Sequence, residues 1–168
     1  YTHLSTGSYH SGTAQSYTDL AILTANEEMG ADARYFFDSI YEKKIPSSFK
    51  KWVVAPDRLS KKVHSLINQE IAAAKDGKKT RIFVKVNALV DKDTIEFLYK
   101  ASQAGVKIDL VVRGACSLIP GIKGISDNIR VLSIIDYFLE HSRIYYFESS
   151  NQLYLSSADW MPRNFLRR

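Results

Sequence analysis

The sequence predicts an α/β fold, a mixed sheet flanked by helices. Three observations carry this expectation. Arg81-Ile82-Phe83-Val84-Lys85-Val86 alternates apolar and polar positions as a strand does. Leu59, Val63, Leu66, Ile67 and Ile71 recur at helical spacing, as do Ile95, Leu98, Tyr99 and Ser102. Strand-like and helical stretches then alternate, which argues for a mostly parallel or mixed sheet with helices packed on it.

Residues 1–24 read as polar turns followed by a buried strand. Thr6-Gly7-Ser8 and Ser11-Gly12-Thr13 carry turn chemistry, and Tyr17 to Leu23 is a strand-like run. Asn26 to Tyr41 reads as a helix with Met29, Ala33, Phe36, Phe37 and Ile40 on one apolar face. Lys43 to Phe49, with Pro46, Ser47 and Ser48, reads as a linker. A domain boundary is expected there, dividing 1–45 from 46–168.

Trp52-Val53-Val54-Ala55 reads as a short strand, and Pro56 and Asp57 as the start of a helix that Lys75-Asp76-Gly77 ends. Arg81 to Val86 is the next strand. Asp91 to Gly105 is a helix closed by glycine. Lys107 to Val112 is a buried strand ending in Arg113-Gly114. Cys116 to Asn128, with Pro120, Gly121 and Gly124, is a loop. Ile129 to Ile134 is a strand and Ile135 to Glu140 a helical turn. Arg143 to Phe147 and Leu153 to Leu155 form a hairpin.

Size and composition narrow the function classes. With 168 residues, 45% of them apolar, the chain suits one domain, or one domain plus part of a neighbour. Its single cysteine, Cys116, excludes an internal disulfide and fits a reducing compartment, so a cytoplasmic location is expected. The four histidines and one cysteine show no zinc-ligand spacing, and no metal ligands are assigned within the chain. No apolar run approaches the roughly 18 residues of a membrane span. No signal peptide is visible. The sequence opens at Tyr1-Thr2-His3-Leu4 without an initiator methionine, so a piece of a longer protein is expected.

The formal net charge is +5. A basic surface concentrates polyanions such as nucleic acid, nucleotide, anionic lipid or polyphosphate. Ordinary solubility charge explains the same balance equally well. No Walker-type glycine loop ending in Lys-Ser/Thr occurs, and the protein-kinase signature residues are absent.

The chemistry-bearing residues lie towards the C-terminal end. In Glu140-His141-Ser142-Arg143-Ile144-Tyr145, alternation would put His141, Arg143 and Tyr145 on one strand face. An imidazole exchanges protons near neutral pH, and a guanidinium two residues on can hold phosphoryl oxygens. Arg113 follows a buried strand and precedes glycine, the place where open α/β sheets put ligand groups. A surface arginine at a loop start and a structural histidine are the plain readings of each residue alone. The two together point to a shared anion site. Asp159, in Ser156-Ser157-Ala158-Asp159-Trp160, could orient an imidazole or bond backbone amides in a turn. Tyr17 could stack on a base, donate to a phosphate or pack half-buried. Ser5, Thr6, Gly7 and Ser8 could offer amides and hydroxyls to an anion. Lys43-Lys44, Lys50-Lys51 and Lys78-Lys79 read as solvated charge.

Several runs have a familiar form: Thr2-His3-Leu4-Ser5-Thr6-Gly7, Tyr17-Thr18-Asp19, Val86-Asn87-Ala88-Leu89-Val90-Asp91, Val112-Arg113-Gly114, Leu139-Glu140-His141-Ser142-Arg143, and Tyr154 through Asn164. In order and end to end, they resemble the bacterial polyphosphate kinase 1 family. The resemblance covers the tail of that family's first C-terminal domain, here 1–45, and most of its second, here 46–168. Both domains are similar to the phospholipase D fold, with a His-x-Lys element in each half.

The resemblance implies part of an enzyme that reversibly moves the γ-phosphate of ATP onto inorganic polyphosphate with Mg²⁺. The phosphorylated histidine and the Mg²⁺ ligands are expected outside this chain. Tyr17, Arg113 and His141 match positions that contact nucleotide phosphates. His141 would be the acid/base partner, with Arg143 in the place of the second element's lysine. Thr6, Gly7, Ser157 and Asp159 are expected to support the site. ATP or ADP and polyphosphate are the expected partners, with no nucleic acid. A homo-oligomer with peripheral membrane association is expected of the full-length protein. Ser8 departs from the asparagine usual after the Thr-Gly turn. The competing readings are a phospholipase D-like phosphodiesterase and a non-catalytic polyanion-binding module. The fragment alone is expected not to turn over.

Overall fold

The structure is a computed structural model that describes residues 1–44, 48–56 and 58–166. The chain opens with β1 (Thr2–Ser5), the short α1 (Ser11–Ala14), β2 (Tyr17–Thr18), β3 (Ala21–Thr24) and α2 (Glu27–Tyr41). Then come α3 (Leu59–Lys75), β4 (Arg81–Val86), α4 (Lys92–Gln103), β5 (Lys107–Val112) and β6 (Ile129–Leu132). The last elements are β7 (Leu139–Glu140), β8 (Arg143–Phe147), β9 (Gln152–Ser156) and α5 (Pro162–Phe165).

A five-stranded mixed sheet in the order β6-β5-β4-β8-β9 forms the centre. β4, β5 and β6 run parallel, and β8 and β9 are antiparallel to their neighbours. Parallel pairing needs a crossover, which α4 supplies between β4 and β5. Alternate strand residues Ile82, Val84, Val86, Ile108, Leu110, Val112, Tyr145 and Phe147 turn towards Leu59, Val63, Leu66 and Ile67 of α3 and Ile95, Leu98 and Ala101 of α4. On the opposite strand face, Asp109 takes hydrogen bonds from Arg81 and Arg130.

Local chemistry sets the helix starts. Asn26 caps α2 through Oδ1 to Met29 N at 3.0 Å, with Glu27 and Glu28 in the first turn. Asp91 caps α4, accepting from the Thr94 amide at 3.0 Å and its hydroxyl at 2.7 Å. The buried carboxylate of Glu70 accepts from Arg81 N, Ser149 N and Ser149 Oγ, and so ties α3 to the β8–β9 turn.

Several local expectations need correction. Residues 2–5 are a strand rather than turns, pairing antiparallel with Ala21–Thr24. The run from Tyr17 to Leu23 divides into two strands, and Ala21 to Leu23 are exposed rather than buried. On α2, Phe37 and Ile40 are exposed while Asp32 and Ser39 are buried. Trp52 to Ala55 is not a strand: Asp32 takes the amides of Lys50, Lys51 and Trp52, the last of which a strand would have offered to a ladder. The helix after Pro56 begins at Leu59. Ile129 to Ile134 is strand only as far as Leu132. Ile135 to Glu140 is no helical turn, because Leu139–Glu140 pairs in parallel with Tyr17–Thr18. The linker residues Pro46 and Ser47, and Asp57, lie outside the described residues.

Candidate active site

The C-terminal ends of β4 and β5 and the N-terminal end of β8 meet at one end of the sheet, because β8 runs antiparallel to β4. Asn87 follows β4, Arg113 follows β5, and Arg143 opens β8. Asp159 follows β9 by three residues. β7, joined to β2, brings His141 and Asp19 to the same end.

A hydrogen-bonded chain runs through these residues. Arg113 Nε donates to Asn87 Oδ1 at 2.9 Å. The Asn87 amide donates to Asp159 Oδ1 at 2.7 Å. Arg143 grips the same carboxylate through Nε to Oδ1 at 2.9 Å and Nη2 to Oδ2 at 3.2 Å. Its Nη1 reaches His141 O at 3.1 Å and His141 Nε2 at 3.3 Å. His141 Nδ1 lies 2.9 Å from Asp19 Oδ1, which also accepts from the Thr6 hydroxyl at 2.7 Å.

These partners assign the imidazole tautomer. A guanidinium has donors only, so Nε2 faces Arg143 as an acceptor. The proton then sits on Nδ1, which donates to Asp19. Asp19 fixes the ring orientation and leaves Nε2 as the nitrogen that can exchange a proton.

Charge is unevenly matched. Arg143 and Asp159 are both buried and offset one another. Lys85, on β4, pairs with Glu140 at 2.9 Å. Arg113 has its one hydrogen bond to a neutral amide and makes no ion pair among the described residues. Among the described cations of this hydrogen-bonded chain, Arg113 is the one left without a counter-charge, so an anion can claim it.

Two glycines permit the approach. A Cβ on Gly7 would stand 2.2 Å from Asp19 Oδ2, and one on Gly114 would stand 2.7 Å from Asn87 O. The Gly114 amide donates to that same oxygen at 2.8 Å, which docks the loop after Arg113 against the loop after β4. Tyr145 sits under the site. Burial pushes its phenol well above the ordinary value, so it stays protonated and donates to Ala158 O, holding the turn that carries Asp159.

Of the residues singled out in the sequence, Arg113, His141, Arg143 and Asp159 join in this chain, and the Tyr17 ring lies 4.9 Å from the His141 ring. The Thr6 hydroxyl is engaged by Asp19, and Gly7 is pressed against the same carboxylate. Ser157 is exposed on the turn before Asp159. His141 precedes β8 instead of lying on it. Sequence reasoning passed over Asp19, Asn87, Lys85 and Glu140 as individuals. A lysine amid Phe83, Val84 and Val86 was the available signal for Lys85.

Comparison with known proteins adds a family context. Residues 52–168 match the family model described as polyphosphate kinase C-terminal domain 2, and residues 1–46 match polyphosphate kinase C-terminal domain 1. A polyphosphate kinase of Pseudomonas aeruginosa is 52% identical over 166 residues, covering 98% of this chain and 24% of that protein. One of Vibrio cholerae is 48% identical over 170 residues, covering 100% of this chain and 24% of that protein. The crystal structure of polyphosphate kinase from Porphyromonas gingivalis superposes with a TM-score of 0.90 at 41% identity, over 98% of this chain and 26% of that one. The chain thus spans about a quarter of the length of the relatives it matches.

Proposed function

The chain belongs to the polyphosphate kinase family, and on that premise we propose that it forms part of an ATP:polyphosphate phosphotransferase. The observation that carries the reading is the pairing of an uncompensated guanidinium, Arg113, with an oriented imidazole, His141, at one end of the sheet. Such a pair suits phosphoryl transfer, where positioning and charge stabilisation supply most of the catalysis.

The reaction we propose has two steps. A histidine outside this chain attacks the γ-phosphorus of ATP; an N–P bond forms, the bond to the β,γ-bridging oxygen breaks and ADP leaves. The terminal phosphate oxygen of polyphosphate then attacks that phosphorus and frees the histidine. Arg113 binds nucleotide phosphate oxygens through its free guanidinium nitrogens. His141 first takes up a proton on Nε2 in place of its contact with Arg143, and the imidazolium then protonates the departing ADP oxygen or orients the incoming terminal phosphate. Tyr17 packs on the ring and donates its hydroxyl to phosphate. Arg143, held by Asp159, braces His141 and adds positive charge behind it. Mg²⁺ enters with the nucleotide. Among the described residues, no three His, Cys, Asp or Glu side chains are grouped to hold a metal ion.

We further place residues 1–45 in one phospholipase D-like half and 46–168 in the other, with the enzyme in the bacterial cytoplasm. The single cysteine supports that compartment.

The test uses full-length protein, γ-labelled ATP, Mg²⁺ and, in parallel, a phosphodiester substrate. Label in a long acid-labile polymer, with the diester intact, supports the reading. Diester cleavage without polymer favours a phosphodiesterase.

A further inference from the structure

Lys85 is buried at 9% exposure, and the two-step reaction above gives it no task. It sits on the central strand β4, paired on both sides by β5 and β8. Its ammonium carries three N–H donors and no acceptor. Three acceptors surround it: Glu140 Oε2 at 2.9 Å, Ser142 Oγ at 2.5 Å and Ser142 O at 3.2 Å. They belong to the residues on either side of His141. Thr18 O takes the amides of His141 and Ser142 at 3.1 and 3.0 Å, so the same segment is also tied to β2.

We propose that Lys85 is a positioning residue for phosphoryl transfer, holding Glu140 and Ser142 so that the His141 ring stays between Asp19 and Arg143. The inference rests on the role given to His141 above. Its physical basis has two parts. All three donors are engaged within the protein, so Lys85 acts through His141 and not as a phosphate ligand. The Glu140 side chain is 28% exposed beside the site. Lys85 offsets that carboxylate and so fixes the stretch of chain that leads into His141. The two-residue β7 alone offers little rigidity, whereas β4 is locked by ladders on both sides.

The test is a double-mutant cycle in the full-length enzyme, with Lys85→Met, His141→Ala and the two combined. Melting temperature and ATP affinity are measured alongside turnover. Lys85→Met is expected to lower kcat about 10–100-fold, the range expected for a misplaced catalytic group, with ATP Kd changed less than about threefold. In the His141→Ala background the same substitution is expected to cost less than about twofold, because it acts through the missing ring. Glu140→Gln and Ser142→Ala, which leave Lys85 in place, run the same cycle and decide the matter if Lys85→Met does not fold. An equal loss in both backgrounds overturns the inference, as does a rise in ATP Kd of about tenfold or more in Lys85→Met. Full turnover in His141→Ala alone would instead refute the role of His141, a result separate from either.

Discussion

Arg143 and Asp159 form a two-pronged ion pair with both side chains buried, and His141 leans on the arginine's remaining arm. The pair is therefore both a structural element and the back wall of the site. Removing one member of such a pair strands a charge out of water. Asp159→Ala should destabilise the fold by about 3–5 kcal/mol, measured by denaturant unfolding of the full-length protein against wild type. A loss under about 1 kcal/mol would mean that the guanidinium finds water or another partner.

Gly7 predicts a different kind of defect. An added methyl would overlap Asp19 Oδ2, and the aspartate must swing away from His141. Gly7→Ala should lower turnover about 10–100-fold by misplacing the imidazole. Stability should fall as well, because Asp19 Cγ and Cβ would stand 2.5 and 3.1 Å from the added methyl and the swing also breaks the hydrogen bond from the Thr6 hydroxyl. Paired kinetics and melting curves check both halves.

Arg113→Ala removes the uncompensated cation. Loss of a charged hydrogen bond should weaken ATP binding by about 1.5–3 kcal/mol. Isothermal titration with a non-hydrolysable ATP analogue measures it directly. An unchanged affinity would refute the assignment of Arg113 to phosphate.

Acid should unfold the chain partly through Asp32 and Asp109. Burial is the largest single influence on each and raises it. For Asp32 the amides of Lys50, Lys51 and Trp52 outweigh burial, and for Asp109 Arg81 and Arg130 do, so both carboxyls titrate below their usual 3.8. A depressed folded-state value means that stabilisation is complete above 3.8 and is lost as pH falls through the folded value. Asp109→Asn should be less stable than wild type at pH 6, and the gap should narrow below pH 3.8, as chemical denaturation at a series of pH values will show.

The legible parts of the fold are those in which local pattern and burial agree. β4, β5, α3 and α4 each carry their core residues at the spacing of their own element, so Ile82, Val84, Leu98 and Leu110 could be placed from sequence alone. The errors arise where distant residues decide. Ile135, Tyr137 and Phe138 fall in the stretch read as a helical turn, yet all three are exposed. Leu139 is instead extended by its pairing with Tyr17, over a hundred residues away in sequence. Likewise Asp32 dictates the path of Lys50 to Trp52 from a separate helix. In the site, His141, Arg143 and Arg113 announced themselves by residue type and position. Asp19 and Lys85 did not, because their meaning lies in contacts with His141 and its neighbours that only the folded chain creates.

The central claim is that His141, oriented by Asp19, handles a proton or a phosphate during transfer. Its most direct test is the rate of label transfer from γ-labelled ATP into polyphosphate by the full-length protein carrying His141→Ala, at saturating ATP and Mg²⁺. The expected result is a fall of about 10²–10⁴-fold, the usual contribution of a positioned acid or base, in a protein that melts like wild type. Transfer at the wild-type rate would contradict the account.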